Sequence, residues 1–373
     1  MTEGPADLHL LVPGRLDQRT GGYLYDSRMV AGLRDLGWRV VVHELTGTFP
    51  DGDAEARASL NAALVSAADG GVVVADGLAV GALPEVLQAH SALPLVVLVH
   101  HPLADESGID PAVAERFRDS EVRSLAVPRG VVVTSPFTAD RLRDFGVRPD
   151  RVRVVVPGTD PARPARGPGA GSPPRLVCIG SVTPRKGHDV LVEALARIQD
   201  LPWVCVCAGS LERGGDFPDQ VRSRAAEVGL ESRLLFLGEL DAHELDHTYE
   251  TATLFVLPSR FEGYGMALTE ALARGLPVVS TTAGAIPGTV PAEAGVLVPP
   301  DDAGALASAL AELVSDPQRL DVLARAAGRA ADDLPDWRDQ AQAFGDAVQA
   351  LSGVATRRGA RGEGEMASTE PRP

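Results

Sequence analysis

Two glutamates eight residues apart, Glu262 and Glu270, bracket a pair of glycines, Gly263 and Gly265, within the stretch Leu254 to Thr282. The apolar run Leu254 to Leu257 reads as a buried strand stopped by Pro258 and Ser259. Helix formers follow from Met266 to Arg274, with Gly275 at the C-terminal glycine position, and Leu276 to Ser280 reads as the next strand. Gly263 and Gly265 let the backbone approach a ligand closely. The opening amides of the helix, at Met266, Ala267 and Leu268, lack intrahelical partners and suit an anion such as a diphosphate. Carboxylates repel that anion, so their natural partners are sugar diols, for which an ionised carboxylate accepts two hydrogen bonds. Glu262, in the loop, is placed to face one sugar, and Glu270, a turn into the helix, to face a ribose.

A second loop supplies positive charge. The strand Leu176 to Gly180 is followed by Ser-Val-Thr-Pro-Arg-Lys-Gly and a helix from His188 to Ile198. Arg185 offers a fork and Lys186 a point charge to phosphates at a helix start. The Gly-Lys order is the reverse of a P-loop, and no convincing Gly-x-Gly-x-x-Gly follows a strand, which weakens a dehydrogenase. In the first half, Gly21 and Gly22 open a helix at the C-terminal edge of a sheet, where open α/β folds bind ligands. His100 and His101 end the run Pro94 to His100 and stand over the same crevice. A metal site on this pair needs further ligands, with Asp105 and Glu106 the nearest in sequence; a surface histidine pair is the plainer alternative.

The whole string PSRFEGYGMALTEALARGLPVV, with Glu-x7-Glu inside it, resembles the signature of the retaining family-four glycosyltransferases. That resemblance implies an α/β GT-B fold of two Rossmann-like doubly wound domains facing a cleft. It implies transfer of a sugar from a nucleotide-diphosphate sugar to an acceptor hydroxyl with retained configuration; the acidic balance of the chain, separately, favours a small soluble metabolite over a lipid as the acceptor. Gly21 and Gly22 then approach the donor diphosphate, His100 contacts the donor sugar, His101 reaches the acceptor, and the turn at Leu237 and Gly238 holds the base through backbone groups. His100, Lys186 and Glu262 take the catalytic roles, with no covalent nucleophile, no metal and no cofactor beyond the donor itself. Two positions depart from the pattern. Ser181 stands where the family carries an arginine, and Arg185 brings that charge from elsewhere in the loop; Pro157-Gly158-Thr159-Asp160 replaces the usual Asn-Gly-Val-Asp.

The elements that must position these groups alternate strand and helix along 373 residues, enough for two domains. Residues 1–165 read as an acceptor-side Rossmann-like domain, 175–335 as the nucleotide-sugar domain, 336–352 as a helix crossing back to the first, and 353–373 as a disordered tail. The Pro- and Gly-rich stretch Pro157 to Pro174 is the boundary. A net charge of −16 argues against nucleic acid. No apolar run reaches membrane-spanning length, the opening residues lack a signal-peptide pattern, and three cysteines (178, 205 and 207) read as small core residues; together these point to a cytoplasmic protein. His243-Glu244-Leu245-Asp246-His247 fits a zinc-hydrolase motif but carries a charge where such a helix packs, and Asp51-Gly52-Asp53 reads as a turn. A GT-B sugar-nucleotide epimerase and a non-catalytic nucleotide-sugar-binding subunit are the alternatives.

Overall fold

A computed structural model describes residues 7–354 of the chain. Beyond Val354 the expected tail lies outside the described residues. Each long apolar run becomes a strand: β1 (Leu8–Pro13), β2 (Val40–Leu45), β3 (Val72–Asp76), β4 (Leu95–Val99), β5 (Gly130–Val133) and β6 (Val152–Val154) in the first half, then β7 (Arg175–Ile179), β8 (Val204–Ala208), β9 (Leu234–Phe236), β10 (Leu254–Leu257), β11 (Val278–Thr281) and β12 (Gly295–Val298). β1, β3, β4 and β5 are buried at every residue, as are β10 and β11. Unbroken burial is what a parallel sheet covered by helices on both faces demands.

The first six strands form one parallel sheet in the order β2-β1-β3-β4-β5-β6, and the last six another, β12-β11-β10-β7-β8-β9. The architecture is therefore α/β with two Rossmann-like domains. In each sheet the strand order reverses once, between β1 and β3 and between β7 and β10. Neighbouring loops diverge at such a point and leave a crevice at the carboxyl ends of the strands. The loops after β1, β3, β7 and β10 are thus the ones the topology sets around a ligand.

One apolar core fills the second sheet and its helices. The first sheet has a core on each face. The chain leaves it through the irregular stretch after β6, whose Ala165 and Arg166 amides donate to the carbonyls of Arg274 and Glu250 at 2.9 and 2.7 Å. It returns through the helix Trp337–Ser352, which buries Ala341, Phe344, Ala347 and Val348 against Leu33, Trp38 and β-strand residues of the first sheet. The two crossings touch. A Cβ on Gly158 would lie 2.5 Å from the amide nitrogen of Trp337, so only glycine fits where they pass.

Candidate active site

Close backbone packing fixes the loop after β10. A Cβ on Gly263 would fall 2.2 Å from the carbonyl oxygen of His100, so this loop of the second domain rests on the end of β4 in the first. Gly284 crowds Glu262 in the same way, and the Ala285 amide donates to the Glu262 carbonyl at 2.9 Å. Gly265 adopts φ +94°, a left-handed conformation, and opens the helix Met266–Ala273. No side chain caps that helix and its first turn holds no acidic residue; contrary to expectation the Leu268 amide is taken by the Gly265 carbonyl at 2.9 Å, which leaves the Met266 and Ala267 amides as the open ones among the described residues.

The basic turn Pro184–Lys186 is seated against the same strand end. Gly187 (φ +70°) has no room for a Cβ, which would meet the Pro258 carbonyl oxygen at 2.1 Å. Arg260 ties the two loops together, pairing with Asp189 at 2.7 Å and Asp301 at 2.6 Å. The outcome is a tight cluster on the buried Glu262 carboxylate. Lys186 Nζ lies 2.6 Å from Oε1, the Ser259 hydroxyl donates to the same oxygen at 2.6 Å, and Arg185 reaches Oε2 at 3.3 Å. Burial opposes ionisation of Glu262, but Lys186 and Arg185 outweigh it and hold the carboxyl below its ordinary range.

Glu270, a turn along the helix, accepts from the Tyr249 hydroxyl at 2.9 Å. Burial raises its pKa, with the Tyr249 hydrogen bond partly offsetting the effect. Arg274 lies over the Tyr249 ring, 4.3 Å from its centroid. The two glutamates therefore differ in kind: the Glu262 carboxylate is paired directly with cations, whereas the Glu270 carboxyl is held by the Tyr249 hydroxyl, with burial outweighing the charge of Arg274 nearby.

The first domain closes the crevice. Gly21 and Gly22 begin the helix Gly21–Asp35; Gly21 faces the Met266 sulfur and Gly22 the His100 ring. His100 follows β4, and its Nε2 lies 3.1 Å from Asp26 Oδ1. His101 pairs with Glu106 at 3.1 Å, and Glu106 in turn with Arg185 Nε at 3.2 Å. The Thr138 hydroxyl donates to the Gly263 carbonyl at 3.4 Å. Gly21, Gly22, His100, His101, Arg185, Lys186, Glu262, Gly263, Gly265 and Met266 are thus gathered where the domains meet. Ala267 and Leu268 continue the helix start. Leu237 and Gly238 follow β9, where the Gly238 carbonyl accepts from the Gly209 amide at 2.8 Å; Gly209 in turn packs on the Gly180 carbonyl, at the head of the loop that carries Lys186.

Sequence reasoning did not single out Asp26, Asp76, Ser259 or Tyr249, and it weighed Glu106 only as a metal ligand. A signal existed for two of them: Asp26 falls on the apolar face of its helix with Met29, Val30 and Leu33, and Asp76 ends the run Val-Val-Val-Ala-Asp at a strand's carboxyl edge. Ser135 accepts from the Thr138 amide and caps its helix, and Asp53 does the same for the helix Ala54–Ser66. Glu244 is spent in a capping box with Asp241 while His243 and His247 are exposed, so the zinc-hydrolase spacing is a solvated helix start. Cys178, Cys207 and His188 approach one another in the second core, where a hydrogen bond donated to Cys207 and burial keep the Cys178 thiol protonated.

With this geometry in place, residues 164–330 match the profile described as glycosyl transferases group 1, and residues 72–163 match glycosyltransferase family 4. The chain belongs to the group 1 glycosyl transferases. It is 30% identical over 273 residues to an MMP alpha-(1->4)-mannosyltransferase of Mycolicibacterium hassiacum, covering 68% of this chain and 64% of that protein. It is 31% identical over 261 residues to a D-inositol 3-phosphate glycosyltransferase of Rhodococcus jostii, covering 66% and 57%. The match therefore spans about three fifths of the length of these relatives. Among solved structures, sucrose-phosphate synthase from Thermosynechococcus elongatus superposes with a TM-score of 0.80 at 22% identity, over 95% of this chain and 100% of that one. HepE of Anabaena in complex with UDP and glucose gives 0.76 at 17% identity, over 92% and 100%. These likenesses establish the two-domain GT-B fold. Among the described residues, no helix is long and apolar enough to cross a membrane.

Proposed function

We propose that this group 1 glycosyl transferase moves a sugar from a nucleotide-diphosphate sugar to the hydroxyl of a small polyol-type acceptor, with retention at the anomeric carbon. The observation that carries the reading is the meeting of Lys186, Arg185 and the uncapped amides of the helix Met266–Ala273 around one crevice. The difficult event is departure of the nucleoside diphosphate, and these donors stand where its charge develops. No metal ion is called on in this scheme. Glu262 holds the hydroxyls of the transferred sugar and Glu270 those of the ribose. A covalent glycosyl-enzyme on Glu262 is disfavoured, because both its oxygens are engaged by Lys186, Ser259 and Arg185. The acceptor instead attacks on the face the diphosphate leaves, and a phosphate oxygen takes its proton. The polyol class is suggested by the inositol phosphate in the name of the Rhodococcus jostii relative.

The test begins with thermal shift against UDP-, GDP- and ADP-sugars, since a ligand that binds only the folded state raises its melting temperature. The stabilising donor is then incubated with and without inositol phosphates and other polyols, and products are read by NMR. A new glycoside with the donor's anomeric configuration supports the proposal. Inversion overturns the retaining step, epimerisation of the donor alone marks an epimerase, and binding without turnover marks a non-catalytic subunit.

A further inference from the structure

Behind His100 lie two buried carboxylates. Asp26, from the helix Gly21–Asp35, is fully buried, and Asp76, the last residue of β3, is 4% exposed; the imidazole itself is the part of the trio that reaches the cleft, at 19% exposed. One ligand-type atom from each of the three lies within 4.8 Å of the others. Nε2 of the ring lies 3.1 Å from Asp26 Oδ1, which is the ring's one hydrogen bond among the described residues and leaves Nδ1 for a ligand. Asp76 uses Oδ1 to accept from the Leu78 amide at 2.8 Å, while Oδ2 of Asp26 is buried without a partner.

We propose that Asp26 and Asp76 are a positioning pair that presents His100 to the cleft as an imidazolium, with its Nδ1–H as the donor to an oxygen of the bound sugar. The sugar contact rests on the transfer reading above; the state of the ring does not. Two carboxylates in an apolar site behind a neutral ring would leave two buried negative charges uncompensated, which is costly. A protonated ring cancels one. A proton on Asp76, directed at the unpartnered Asp26 oxygen, cancels the other and fills the empty acceptor.

The remaining neighbours add no competing charge. Tyr25, from the same helix, meets the ring edge-on at 5.5 Å with its hydroxyl given to the Val155 carbonyl. The Tyr23 hydroxyl goes to the Pro13 carbonyl. Thr134, after β5, donates to the His100 backbone carbonyl, and the second domain meets His100 through Gly263. Burial by itself pulls His100 toward neutrality, but Asp26 and then Asp76 outweigh it and push its pKa up to about 9. Burial and Asp26 push Asp76 up to about 7, so the fully neutralised arrangement holds below neutrality and His100 stays charged well above it.

The arrangement also excludes a metal ion at this trio, since an imidazolium has no lone pair at Nε2 to offer.

The experiment is a pH titration of the [15N]histidine-labelled full chain by NMR, with His100 assigned from the signal lost in His100→Asn. Both ring nitrogens of His100 should carry protons at pH 7.5, with titration near 9. In Asp26→Asn the ring should titrate at the ordinary value of about 6.5 or below. With a donor in hand, kcat/KM of Asp26→Asn should approach wild type at low pH and fall roughly tenfold per pH unit above that value. A purely structural defect would instead depress it equally at every pH. A neutral His100 at pH 7.5, an unchanged titration in Asp26→Asn, or stoichiometric zinc binding that removes the Nε2 proton overturns the proposal. Should Asp26→Asn fail to fold, the wild-type titration decides. Because that titration needs no donor, a charged His100 in a protein that transfers nothing counts against the transfer reading alone.

Discussion

Lys186 is the only lysine in 373 residues; the other 34 basic side chains are arginines. A chain that uses arginine everywhere else keeps one compact ammonium, and it stands between a buried carboxylate and the start of a helix. Replacing it should have two separable effects. Lys186→Ala should lower turnover by about 10²–10³, the usual loss for one donor to developing oxyanion charge. It should also strand part of the Glu262 charge and lower stability by about 3 kcal/mol, as breaking one side of a buried pair does. The double variant Lys186→Ala/Glu262→Gln should recover much of that stability and none of the turnover. Chemical denaturation and donor-turnover assays on the three proteins check this; a double variant no more stable than the single one refutes the pairing energetics. At this scale the sequence was legible wherever residue type and neighbours in the chain sufficed: Glu262 by its glycines, Lys186 by its loop. Partners far apart in the chain were not, which is why Glu106 to Arg185 and Asp26 to His100 emerge only from the fold.

At the scale of elements, the strands were readable because a parallel strand buried on both faces must be an unbroken apolar run, and β3, β4 and β10 are. Short helices such as Gly77–Val80 and Ile286–Thr289 were not, since four residues carry no period. Gly265 shows how much one backbone conformation carries. Its left-handed φ turns the chain so that the helix begins with open amides, and an added Cβ would lie 2.6 Å from Leu268 Cδ1. Gly265→Ala should cost about 1–3 kcal/mol in strain and weaken donor binding by misdirecting those amides; denaturation and donor titration read the two losses separately. The helix Trp337–Ser352 gives a contrasting case, where Phe344 is buried in the core of the first sheet. Phe344→Ala should destabilise by about 3–5 kcal/mol while leaving donor affinity per folded molecule unchanged. Loss of affinity in the folded fraction would show that this helix does more than hold the first domain.

Across the whole molecule, polar contacts bind the two domains, and the buried carboxyls of the fold have opposite pH habits. Arg19 donates to the Leu240 carbonyl at 3.0 Å, Arg213 to Gln18 at 3.2 Å, and Glu106 joins His101 of its own domain to Arg185 of the other. Burial opposes ionisation of Glu106, but the His101 hydrogen bond and Arg185 hold its pKa down to about 2. Its contribution is complete above the unfolded carboxyl range near 4.5 and disappears as pH falls toward 2. Glu121 and Asp76 run the other way. Burial pushes each up to about 7, against which Glu121 keeps hydrogen bonds from the Leu103 and Ala104 amides. Between their unfolded values and about 7 the folded state holds protons the unfolded chain has released, so stability declines as pH rises through that window. Stability should therefore peak near pH 5, falling on the acid side as Glu106 is protonated and on the other side as Glu121 and Asp76 ionise, with His100 adding to the loss above about 6.5. Each of the two raised carboxyls contributes at most about 1.4 kcal/mol per pH unit to that fall. Glu121→Gln cannot ionise, so it should flatten the slope between about pH 5 and 6.5, below the range where His100 contributes, by about half. Urea midpoints of both proteins across that range give the answer directly, and equal slopes would mean that Glu121 ionises as readily inside the fold as outside it.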